Sequence, residues 1–258
     1  MSRFSRDIAH QRATDTTRDL TAVGVVLPED VTAALARLEA HLERGRPTAP
    51  DAAALAEAYA EGATDKALDV LLAQHVAATA KAAAYAEACK RLGSHVMSAL
   101  TANGDAITRQ LADLAQPIID KLEATAALTT LDVAVLVRHG DNAGADLAAR
   151  AEVTAGDLSN LYRLRAAVTH GAEYGVGGWN ASMWRNPAAI RQAEATNTLR
   201  PSMTGAERYL VGIRAGGELW FPTPAEAVAV AQQYATQEQR ERLAAEAAEF
   251  GRGIRWAS

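Results

Sequence analysis

A repeat of apolar and small residues between Asp65 and Ala102 constrains the fold of this 258-residue chain more than any other feature of its sequence. The repeat alternates steps of four and three residues, which is the spacing of a coiled-coil seam. Because the repeat is not interrupted, it predicts a single helix with a length of roughly 55 Å, and one face of this helix should pack against a neighbouring helix. The seam consists of Leu71, His75, Ala78, Ala82, Tyr85, Cys89, Leu92, Val96 and Ala99.

A second helix is predicted to follow a break at Asn103 and Gly104, since both residue types adopt the left-handed conformation that ends a helix. Asp105 can cap this second helix. We interpret residues 65–127 as an antiparallel hairpin whose small seam residues let the two backbones approach closely. The periodicity continues through Ile107, Leu111, Leu114, Ile118 and Leu122.

The chain is predicted to be mainly α-helical and to divide into two parts. Alanine dominates an apolar content of 49%, and only 5% of the residues are aromatic. Alanine favours helix but supplies little core volume, so we expect closely packed helices. Residues 1–128 should form an elongated helical region dominated by the hairpin. Residues 129–258 should form a compact helical unit with one short β-hairpin.

The β-hairpin is predicted near residues 208–221. Tyr209, Val211 and Ile213 would share one face of its first strand, and glycines would supply the turn. Beyond it, Thr223 and Glu226 have the spacing of a capping box, which predicts the start of a further helix.

Catalytic, cofactor-binding and metal-binding residues are not expected. The six histidines form no pair with zinc-ligand spacing, and the lone Cys89 rules out an internal disulfide framework. No lysine follows Lys121, so a Schiff-base or phosphate-clamping lysine is excluded from the C-terminal half. An enzyme with dispersed site residues near 170–221 stays as a third possibility.

The polar N-terminus lacks the apolar run of a signal peptide, and no stretch reaches the roughly 18 apolar residues of a membrane span. We therefore expect a cytoplasmic protein without a membrane partner. Residues 158–216 hold seven arginines against three glutamates. This basic segment could contact nucleic acid, or it could complement the acidic helices of the same protein.

Residues 145–165 resemble the helix-turn-helix pattern of bacterial and phage repressors, in which a recognition helix enters the major groove. The resemblance implies two helices that meet at a tight corner near Val153 and Thr154, although Glu152 holds the turn position that is usually glycine. The alternative is an ordinary helix corner. The match consists of Leu147, Ala148, Ala151, Val153, Thr154, Leu158, Ser159, Asn160 and Leu161.

The helix-turn-helix resemblance also implies which side chains would bind DNA. Thr154, Ser159 and Asn160 would lie near the base edges, and Arg163 would lie nearer the phosphates.

All four tryptophans lie beyond residue 178. Trp179 and Trp184 lie in or beside a glycine-rich stretch with arginines nearby, a composition typical of an interface anchor, and Trp220 could join them. The alternative is that these side chains form the small core of the C-terminal unit.

An Ala- and Arg-rich helical hairpin with a Trp- and Gly-bearing C-terminal part is similar in style to structural and assembly-module proteins of high-GC actinobacterial phages. The resemblance implies a non-enzymatic structural or assembly protein, cytoplasmic or part of a virion. It would act through helix-mediated homo-oligomerisation and an aromatic C-terminal surface that docks other assembly proteins. The second hypothesis is a DNA-binding protein that uses residues 145–165.

Overall fold

The computed structural model describes residues 8–48, 52–169, 182–200 and 202–253. These residues are mainly helical, which confirms the mainly α-helical part of the predicted fold class, and they contain no β-strand. In chain order the helices are α1 (Ile8–Ala22), α2 (Glu29–Glu43), α3 (Ala52–Ala60), α4 (Asp65–Ala102), α5 (Gly104–Ala126), α6 (Val133–Arg138), α7 (Asn142–Val168), α8 (Pro187–Ala195), α9 (Gly205–Arg214) and α10 (Pro224–Gly253).

The chain divides into two compact units, Met1–Asn103 and Gly104–Ser258. The boundary expected at residue 128 therefore lies inside the second unit. Helix α4 ends at Ala102 and α5 begins at Gly104, so the predicted break between the two helices is present. Their packing as an antiparallel hairpin stays a prediction.

The first unit is built around α4, against which α1, α2 and α3 pack. Helix α2 runs antiparallel to the C-terminal half of α4. The His41 ring stacks on the Tyr85 ring with centroids 4.5 Å apart, and Asn103 Nδ2 donates to Asp30 Oδ2 at 2.8 Å. Helix α1 lies close to α4 at Gly93, where an added Cβ would lie 2.6 Å from the His10 backbone.

Every residue of the predicted α4 seam is buried or half-buried. Cys89 and Val96 are buried in the core of the first unit, together with Leu20, Val31 and Leu38 from α1 and α2. The periodicity therefore identified the covered face of α4, and the helices that pack against this face within the unit are α1, α2 and α3.

The second unit packs α5 against α7, with α9 resting on both and α6 on α7. Arg214 at the end of α9 donates from Nε to the Ala126 carbonyl at 3.0 Å and from Nη2 to the Leu128 carbonyl at 3.2 Å. These bonds satisfy carbonyls at the C-terminal end of α5. The core of the unit includes Ile107, Leu111, Ile119, Leu122, Leu158, Leu164, Ile190 and Leu210.

The β-hairpin predicted near residues 208–221 is wrong, because its first half is the helix α9. The pattern of Tyr209, Val211 and Ile213 is compatible with a strand, but burial follows a helical face that includes Ala206, Tyr209 and Leu210. Tertiary packing has overridden local β-propensity here. Within the described residues, β-type pairing is limited to an isolated antiparallel bridge between Trp184 and Leu219.

The close approach at Gly93 gives a test of the first unit. Gly93→Ala should lower the free energy of unfolding by roughly 1–3 kcal/mol, because the new methyl group must displace the backbone of α1. The matched control is Gly156→Ala in α7, where an added Cβ meets nothing within 4 Å. The control should gain up to about 1 kcal/mol from helix propensity. Thermal unfolding followed by circular dichroism measures both, and equal gains for the two variants would contradict the packing.

Candidate functional site

The segment that resembles a helix-turn-helix is one uninterrupted helix, α7. The corner expected near Val153 and Thr154 is therefore wrong. Thr154 continues the helix and its hydroxyl donates to the Arg150 carbonyl at 3.0 Å. The physical reason is that Ala151, Ala155, Leu158, Leu161 and Tyr162 bury one continuous helical face, which keeps the helix intact through Gly156.

The residues proposed to bind DNA have partners inside the second unit. The hydroxyls of Ser159 and Tyr209 are hydrogen-bonded at 3.0 Å. Asn160 and Arg163 are exposed, and Arg163 Nη2 donates to Asn160 Oδ1 at 2.9 Å. Glu152 Oε2 accepts from the Ala206 backbone N–H at 3.2 Å, which places its carboxylate at the positive N-terminal end of α9. This face of α7 thus connects α7 to α9 and carries acidic as well as basic groups.

Trp184 is part of the core of the second unit, with 1% of its surface exposed. Its ring packs against Gly212 of α9 and against Gly217, where a Cβ would lie 2.5 Å and 2.7 Å from ring atoms. The prediction that Trp184 needs a partner chain to cover it therefore loses its basis, because its own unit supplies the cover.

Trp220 is half-buried beside Trp184. Its backbone N–H donates to the Met183 carbonyl at 3.2 Å, and the Arg185 guanidinium lies 5.6 Å from its ring centroid, within the range of a cation–π contact. Trp220 therefore keeps a partly exposed ring beside a cation. Trp179, the third tryptophan proposed for an interface, lies outside the described residues.

A buried arginine beside two stacked aromatic rings was not anticipated from the sequence. Arg165 of α7 is buried with its guanidinium carbon 5.0 Å from the Tyr162 ring centroid and 4.9 Å from the Phe221 ring centroid. Its Nη1 donates to the Pro222 carbonyl at 3.3 Å, and Tyr162 Oη donates to the Trp220 carbonyl at 2.7 Å. Burial raises the pKa of Tyr162 far above its ordinary value. These contacts hold the 220–222 segment to α7.

The N-terminal half of α4 presents an exposed apolar surface, which we call the exposed α4 face. Val70, Leu72 and Val76 are 51%, 46% and 58% exposed. No Asp, Glu, Lys or Arg occurs from residue 70 to residue 80, so no acidic or basic side chain interrupts this surface before the exposed Lys81, which precedes its last member. Its members are Val70, Leu72, Ala73, Val76, Ala77, Ala80 and Ala84, all of which are exposed.

The seam of α4 predicts only the covered side of the helix, so the exposed α4 face was not predicted from the sequence. The signal that could have revealed it is the absence of charge between Asp69 and Lys81, since the solvent face of an amphipathic helix is normally charged or polar.

Among the described residues, no group of three or more His, Cys, Asp or Glu side chains is arranged to hold a metal ion. Within the same part of the chain, no helix combines the length and apolarity needed to cross a membrane. A groove of about 580 Å³ lies along α10 and is lined by Ala229, Gln232, Gln233, Thr236, Gln237 and Arg240. These side chains bring together no nucleophile and general base of the kind that catalysis requires.

No family of known proteins matches the chain, and neither a curated protein nor a solved structure matches it.

The burial of Trp184 predicts a stability effect and not an association effect. Trp184→Ala should lower the free energy of unfolding by about 3–5 kcal/mol, because it removes a large buried side chain and leaves a cavity. Trp220→Ala, at a half-buried ring, should cost clearly less. Chemical denaturation measures both variants. Unchanged stability of Trp184→Ala together with a changed mass in solution would show that this tryptophan is an interface residue.

The raised pKa of Tyr162 predicts how the free energy of unfolding depends on pH in the alkaline range. The pKa of Tyr162 is raised in the folded state. Its contribution to the free energy of unfolding is therefore complete below pH about 10, the pKa of an unperturbed tyrosine, and this contribution declines as the pH rises further. Tyr162→Phe should cost about 1–2 kcal/mol at neutral pH, since the bond to the Trp220 carbonyl is lost. Above pH 10 its stability should fall less steeply than that of the unmodified chain. Tyr59→Phe, at a mostly exposed tyrosine, is the control and should change neither quantity.

Proposed function

We propose that this chain is a non-enzymatic structural or assembly protein that acts through helix-mediated self-association. The observation that carries the proposal is the exposed α4 face, an apolar helical surface without acidic or basic residues from Val70 to Ala80, which the described residues of the first unit leave open. The role agrees with the one implied by the compositional resemblance to phage structural and assembly-module proteins, for which a virion or its assembly pathway would be the setting.

The exposed α4 face leaves its three larger apolar side chains about half exposed to solvent. Burying a valine or leucine side chain completely is worth roughly 1.5–3 kcal/mol. Val70, Leu72 and Val76 each leave about half of this unused, and they lie within two turns of one helix. Contiguous exposed apolar surface of this kind is typical of sites where proteins associate.

The aromatic C-terminal surface contributes less to this proposal than the sequence suggested, because Trp184 is covered within its own unit. DNA binding through residues 145–165 is not favoured either. The exposed residues of α7 include Glu152 and Asp157 as well as Arg163, and acidic groups in a recognition surface repel the phosphate backbone.

The proposal is tested by measuring the mass of the full chain in solution with light scattering over a range of protein concentrations. We expect an oligomer that Val76→Glu converts to a smaller species, because a carboxylate would have to be buried without a partner. Glutamate is a good helix former, so the helix content measured by circular dichroism should not change.

The matched control is Val153→Glu, which places the same charge at a 68% exposed valine of another helix, α7. Its mass should equal that of the unmodified chain. A monomeric unmodified chain at all concentrations, or an unchanged mass for Val76→Glu, would overturn the proposed function.

A further inference from the structure

Helix α4 carries two apolar seams on different sides. The covered seam, which includes Leu71, His75 and Ala78, is buried or half-buried within the first unit. A second series of alternating three- and four-residue steps runs through the exposed α4 face, and this is again the spacing at which helices pack in coiled coils. Its members are Val70, Ala73, Ala77, Ala80 and Ala84.

The exposed α4 face is uneven in size from one end to the other. Its larger side chains, Val70, Leu72 and Val76, lie toward the N-terminus, while Ala80 and Ala84 lie toward the C-terminus. An antiparallel pairing of two identical faces places the valine end of one copy opposite the alanine end of the other. A parallel pairing would place valine on valine and alanine on alanine, which leaves a gap along the alanine end.

The charged residues that flank the face are also distributed asymmetrically, with a net negative charge at its N-terminal end and a net positive charge at its C-terminal end. Asp65, Lys66 and Asp69 precede the uncharged stretch and carry a net negative charge. The charged residues that follow the uncharged stretch carry a net positive charge, and they are Lys81, Glu87, Lys90 and Arg91. Arg91 Nε lies 2.9 Å from Glu87 Oε1. Antiparallel pairing brings the acidic end of one copy beside the basic end of the other, whereas parallel pairing brings like charges together.

We infer that the occupant of the exposed α4 face is the same face of a second copy of this chain, packed antiparallel about a two-fold axis near Ala77. This inference rests on the proposed function and adds to it the partner, the orientation and the register. With the axis at Ala77, Val70 of one copy lies level with Ala84 of the other. An interface of this kind is isologous and closes as a dimer.

Disulfide cross-linking of the full chain tests the orientation. Ala77→Cys should form a disulfide-linked dimer under mild oxidation, because the two thiols meet at the axis. Val70→Cys mixed with Ala84→Cys should form a linked heterodimer, which a tag on one variant identifies on a non-reducing gel.

Each of these two variants alone should stay unlinked. In the antiparallel arrangement, residue 70 lies about 20 Å along the axis from residue 70 of the other copy, far beyond the roughly 7 Å that a disulfide spans between Cα atoms. The unmodified chain is the background control, since its Cys89 is buried and should not cross-link.

Light scattering on the same unoxidised samples separates this inference from the proposed function. If the chain is an oligomer but Ala77→Cys stays unlinked, or if Ala84→Cys alone forms dimers, the antiparallel pairing is overturned and self-association stands. If the chain is a monomer, both are overturned.

Discussion

Close approach between a glycine and a neighbouring element is the interaction on which both units depend. Alanine-rich helices bring little side-chain volume to a core, so their backbones must come near one another to exclude water. Gly93 lets α1 lie directly on α4, and Gly212 with Gly217 lets the second unit enclose Trp184. Trp184, the largest fully buried side chain, lies where these two glycines leave room for its ring.

The helices were predictable where the periodic signal is long. The α4 seam extends over many turns, so each position reinforces the same helical face, and every seam residue is covered as expected. The segment that became α9 offered only a few residues. Its alternating Tyr209, Val211 and Ile213 fit a strand as well as a helix, and the Glu152 carboxylate that accepts from the N-terminus of α9 comes from a distant part of the sequence. Local propensity depends only on residues that are close in the sequence, so it could not predict this contact.

Candidate functional residues were harder to predict, because residue type indicates chemistry but not exposure. The surroundings of Trp184 have the composition of an interface anchor, yet its ring is buried against Gly212 and Gly217, both of which lie inside the segment that was predicted to form the β-hairpin. The stretch around Val153 matched a helix-turn-helix in its apolar pattern. A turn also needs a residue that leaves the helical conformation easily, and Glu152 does not supply one. The burial of Arg165 against aromatic rings could not be predicted, since one of these rings belongs to Phe221, which lies far along the chain.

The exposed α4 face follows from a mismatch in helix length. Helix α4 has 38 residues and α2 has 15, which correspond to about 57 Å and 22 Å. Since α2 lies along the segment from Tyr85 to Asn103, it cannot reach the N-terminal half of α4, where the nine-residue α3 packs instead. A neighbour that short covers one side of α4 at most. The other side keeps an apolar composition that solvent alone does not explain, and a second α4 is long enough to cover it.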